Sequence, residues 1–111
     1  MDTAKLVGRR VKVCASDLFG EPVDAVVLAE DVAAKSLQLC FTQPVVVDAQ
    51  RFDFAVSKVR LRRDSLDTLL SVGTVGCALT CVPPNRMDPA RPFDTSWWRG
   101  GAAAIADLVL V

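Results

Sequence analysis

Apolar and polar residues alternate with a period of two along most of this chain, and that period limits its fold more than any other feature. In "GRRVKVCAS" Val11 and Val13 share one face while Lys12 and Cys14 take the other. In "SLQLCF" Leu37, Leu39 and Phe41 alternate with Gln38 and Cys40. "RFDFAV" groups Phe52, Phe54 and Val56 opposite Arg51, Asp53 and Ala55. Successive side chains on a strand point to opposite faces, so this alternation specifies half-buried antiparallel strands. "DAVVLAE" is more continuously apolar around Val26, Val27 and Leu28, which predicts a strand covered more fully. Turns are expected at "SDLFGEP", "EDVAAK" and "VDAQ", where the pattern stops and turn-forming residues gather.

The phase slips near Ser57, because Phe52, Phe54 and Val56 have one parity and Val59 and Leu61 the other. Either a bulge around Ser57 or Lys58 or a break into two strands accounts for it. One helix is expected near 64–72. "RDSLDTLLSVG" offers Asp64 or Ser65 as N-cap, Leu66, Leu69 and Leu70 at helical spacing, and Gly73 as a left-handed C-terminal cap. "TVGCALTCV" resumes the alternation, with Val75, Cys77, Leu79 and Cys81 on one face. The pattern then stops: "VPPNRMDPARPFDTSWWRGG" has four prolines and reads as a long loop at 83–101. A final strand is expected in "AAAIADLVLV", whose last residues are β-formers.

These elements predict a mainly β fold, a small antiparallel barrel or rolled sheet of five to six strands with one short helix. SH3-like and OB-like topologies both accommodate them. At 111 residues the chain spans one domain, 1–111. No apolar run approaches the length of a membrane span, and no apolar leader follows the opening residues, so a cytoplasmic protein with no membrane partner is expected.

Cys14, Cys40, Cys77 and Cys81 are then expected to be reduced thiols without metal. On an extended strand the sulfurs of Cys77 and Cys81 would lie roughly 13 Å apart, too far to share a metal ion. Cys14 and Cys40, both on polar faces, are candidates for neighbours across a sheet. The chain has no histidine, which excludes a Ser-His-Asp or Cys-His arrangement and histidine-ligated zinc. Asp88, Asp94 and Asp107 are the carboxylates available for acid–base work, but nothing in the sequence fixes their separation. No cofactor motif is present.

Two surfaces stand out. Thirteen basic and thirteen acidic residues cancel, but they are not mixed evenly. Residues 51–63 hold Arg51, Lys58, Arg60, Arg62 and Arg63 against Asp53, and Lys58, Arg60 and Arg62 share one strand face. Paired with Arg9, Arg10 and Lys12 of the first strand, they would make a basic patch for phosphates or an acidic protein. Alternatively they are the charges that protect an edge strand from aggregation. The second surface is "PFDTSWWRGG". Neighbours in an extended chain point opposite ways, so one of Trp97 and Trp98 is expected inside and the other exposed. Phe93, Arg91 and Arg99 flank the pair, and Gly100 and Gly101 would permit loop movement. Trp and Arg dominate interface hot spots, whereas a plug for the end of the fold needs only burial.

Three functions are compatible. The first is a small non-catalytic protein-binding or adaptor module, self-associating or joined to another protein through the tryptophan loop. The second is a weak nucleic-acid binder using the basic strand 58–63. The third is a carboxylate-based or small-molecule-binding enzyme.

Overall fold

The computed structural model describes residues 5–16, 18–47, 50–52, 56–82 and 99–111. The mainly β prediction holds. Six strands close into an antiparallel barrel in the order β1 (Arg10–Cys14), β2 (Val23–Asp31), β3 (Ser36–Phe41), β6 (Val56–Leu61), β7 (Thr74–Val82), β8 (Arg99–Leu110). Each barrel strand pairs with the next along the chain, and β8 returns to β1. β4 (Val45–Val47) and β5 (Gln50–Phe52) form a separate two-stranded hairpin.

The period of two fills the interior. Val11, Val13, Val23, Ala25, Val27, Leu37, Leu39 and Phe41 line it from β1, β2 and β3. Val59, Leu61, Val75, Cys77, Leu79, Ala106 and Leu108 complete it from β6, β7 and β8. The helix α1 (Leu66–Val72) joins β6 to β7 and sends Leu66 and Leu69 into this core. Ser65 is its N-cap residue, and Gly73 ends it in the left-handed conformation at φ 91°, its N–H donating to the Leu69 carbonyl. The loop from Ala15 to Pro22 turns back on itself, since the N–H groups of Leu18 and Phe19 both donate to the Ala15 carbonyl. Phe19 is thereby buried against Phe41.

Four local expectations are corrected. β2 is not covered throughout: it alternates to Val27, then a bulge leaves Leu28 unpaired and 43% exposed. One extra residue reverses the parity beyond it, so Glu30 opposes the buried Leu37. Second, the slip near Ser57 falls inside one strand: β6 keeps Val56, Ser57, Val59 and Leu61 all buried, while β5 ends at Phe52 in a hairpin of its own. A bulge does lie beside Lys58, but its extra residue is Thr80 on β7. The Thr80 hydroxyl donates to the Lys58 carbonyl at 3.3 Å. Third, β8 begins at Arg99, so the loop expected at 83–101 is shorter, and Gly100 pairs with Cys81 in the ladder. Pairing with the long β7 outweighs glycine's poor strand preference, and the irregularity between Leu79 and Cys81 falls where β8 is glycine and alanine. Fourth, Cys14 and Cys40 are not neighbours, because β2 runs between their strands.

Candidate functional site

β6 alternates buried Val59 and Leu61 with exposed Lys58 and Arg60, and Arg62 continues the exposed row just past its end. The three cations therefore stand on the outside of the barrel, on one side of one strand. Lys12 Nζ lies 3.1 Å from Asp24 Oδ1, an ion pair directly across β1 and β2. It ties up a charge of β1 and leaves those of β6 to solvent.

The predicted union of the β6 cations with β1 does not occur. In the closed order β1 and β6 lie three strands apart in either direction, on opposite sides of the barrel. The edge-strand reading also fails, because β6 is paired with β3 on one side and β7 on the other.

What the fold places beside the cations was not visible in the chain order. Arg60 sits opposite Ala78 on β7, and Ala78 opposite Ile105 on β8. The Arg62 N–H donates to the Gly76 carbonyl at 3.1 Å, and Gly76 sits opposite Asp107. The outer face of β7 is thus a trough. Its floor is Gly76 and Ala78, with Thr80 beside Lys58 at one end; one wall is Arg60 and Arg62, and the other is Ile105 and Asp107. Ile105 is 53% exposed, a large apolar side chain presented to water. A cavity of about 240 Å³ opens at one end, lined by Arg62, Arg63, Asp64 and Gly76. A Cβ built on Gly76 would come no nearer than 3.9 Å to another atom, that being Asp107 Oδ1. The floor is therefore low because of the residue there, and not because a neighbour crowds it.

Comparison with protein-family models, curated proteins and solved structures gives no match to this chain. The trough must be read on its own chemistry.

The second predicted surface is only partly in view. Arg91, Phe93, Trp97 and Trp98 lie outside the described residues, as do Asp88 and Asp94. The backbone of Arg99 is described and pairs with Val82. Lys58 pairs with Cys81 and Cys81 with Gly100, so Lys58 sits in the same cross-strand row as both roots of the segment bearing the tryptophans.

Cys14, Cys40 and Cys77 are free thiols, and the side chain of Cys81 lies outside the described residues. Burial pushes the Cys77 thiol up to about 12, with the Asp107 carboxylate adding to the rise and Arg62 opposing it. Burial also raises Cys40. Thiols held in the neutral form are poor nucleophiles. Among the described residues no three cysteine, aspartate or glutamate side chains are grouped to hold a metal ion. No described helix is long and apolar enough to cross a membrane. Sequence reasoning found the cations from their alternation. It missed Gly76, Ala78 and Ile105, which only cross-strand register brings to them.

Proposed function

We propose that this chain is a protein-binding module that takes its partner on the outer face of β6 and β7, with the segment holding Arg91, Phe93, Trp97, Trp98 and Arg99 as a second contact. The observation that carries the reading is the trough itself: Arg60 and the exposed Ile105 face each other across Ala78. A cation and an exposed aliphatic side chain on either side of a small floor suit a protein surface, which offers both carboxylates and apolar groups. The tryptophan segment is included because Lys58 shares its row with Cys81 and Gly100, close to where that segment leaves β7 and enters β8. The partner is another protein or a second copy of the chain.

The alternate cations also support a second reading, a weak nucleic-acid interface. Zero net charge and the carboxylates of Asp64 and Asp107 beside Arg62 weigh against it.

The test compares the wild-type chain with Lys58→Glu/Arg60→Glu and with Trp97→Ala/Trp98→Ala. Proteins recovered on the tagged chain are quantified, sedimentation reports self-association, and a labelled random oligonucleotide is titrated at several salt concentrations. A specific protein or self-association lost in both variants supports the reading. Oligonucleotide binding that weakens steeply with salt, without any protein complex, would replace it by the nucleic-acid reading.

A further inference from the structure

We infer that the trough along β7 is a docking groove for an extended acidic peptide, one with carboxylates on alternate residues and apolar side chains between them. This rests on the protein-binding reading above and adds the form and chemistry of the bound segment.

The width of the groove decides the form. Its walls stand on β6 and β8, two interstrand spacings apart, or roughly 9.5 Å. A helix with its side chains measures about 10–12 Å across and would ride above the floor. An extended backbone fits between the walls and rests on Gly76 and Ala78. The depression between Arg62 and Gly76 gives it room at one end.

The spacing of the cations decides the pattern. Lys58, Arg60 and Arg62 alternate on one side of the chain, so they repeat every 6.5 Å or so. Side chains on one side of an extended peptide repeat at the same interval. Glutamate or aspartate at every second position therefore meets each cation in turn, and the intervening residues point toward β8. There the wall is Ile105, 53% exposed, which favours an apolar group. Asp107 follows it on the same wall and repels a further acid or a phosphate. A single nucleic-acid strand would match the cations but would have to run past that carboxylate.

The probe is a short fluorescent peptide with glutamate at every second position and leucine between. Its isomer has the same composition with the glutamates contiguous. Both are titrated by fluorescence anisotropy, beside a labelled oligothymidylate. Three exposed ion pairs of ordinary strength amount to roughly tenfold in affinity, so the alternating peptide is expected to bind about tenfold more tightly than the isomer. Ala78→Leu raises the floor without changing charge and is expected to abolish binding, as is Arg60→Glu. Arg10→Glu makes the same charge change on the far side of the barrel and is expected to leave binding intact. Ile105→Ser, at an exposed position, is expected to erase the preference for leucine over serine at the intervening residues, which keeps the test open should Ala78→Leu fail to fold. Equal affinity for the two isomers, full binding by Ala78→Leu, or tighter binding of the oligothymidylate would overturn the inference. If the isomers are equal while protein recovery still depends on Lys58 and Arg60, the groove inference falls and the binding module stands. If neither depends on them, both fall.

Discussion

The ring of Phe19 meets that of Phe41 edge-on, with centroids 5.6 Å apart and planes at 77°. The contact joins a loop to a core strand, since Phe41 is the last residue of β3 and Phe19 lies between β1 and β2. Both rings are buried, so this loop is part of the core and not a flap over it. Phe19→Ala is expected to destabilise the protein by about 3 kcal/mol or more, the usual cost of deleting a core phenylalanine. Denaturant unfolding of the two proteins measures it, and a loss under about 1 kcal/mol would mean that the ring is dispensable to the core.

The β6 cations should behave differently. Lys58, Arg60 and Arg62 are exposed on the outside of a closed barrel. Replacing all three with glutamine is expected to change stability by no more than about 0.5 kcal/mol per site, the range of ordinary surface substitutions. Binding is expected to suffer while the unfolding midpoint stays in place. A loss of several kcal/mol would place these side chains in the fold and remove them from the site.

Gly73 carries a backbone demand. It caps α1 at φ 91°, and an L side chain there is strained whatever the space around it. Gly73→Ala is expected to cost about 1–2 kcal/mol. Thermal unfolding measures it, and an unchanged melting temperature would count against the left-handed cap.

The Cys77 thiol makes stability depend on pH in the alkaline range. Its value in the fold is about 12 against an ordinary 9.0, so the folded state holds the proton that the unfolded chain releases. The contribution is fully present below pH 9 and is lost as pH climbs through the interval up to about 12. Within it the slope from this one group approaches about 1.4 kcal/mol per pH unit. Cys77→Val is expected to flatten that part of the stability curve. Curves of equal slope for the two proteins would show that the thiol ionises as readily inside as outside.

Much of the architecture was legible because strand alternation is a local property. β1, β3 and β7 as far as Leu79 follow their apolar parity, and α1 follows its leucine spacing and its glycine. What escaped depended on partners distant in sequence. Leu28 reads as core from its neighbours, but the bulge against β3 turns it out. Gly100 reads as loop, yet Cys81 holds it in a ladder. The candidate site divides the same way. Exposure of Lys58 and Arg60 follows from β6 alone, whereas Ala78 and Ile105 reach them through the register of two further strands.

The pairing of β1 with β8 also governs how the molecule comes into being. Val11 faces Leu110 across ninety-odd residues of chain, and Val13 faces Leu108. Until β8 is made, β1 and β7 are both open edges, and the interior lacks the wall that Ala104, Ala106 and Leu108 supply. Contacts between such remote residues slow folding, because the loop must close before they contribute. During synthesis β1 and β7 both precede β8, so each keeps an edge open to stray strand pairing until β8 arrives to close the ring.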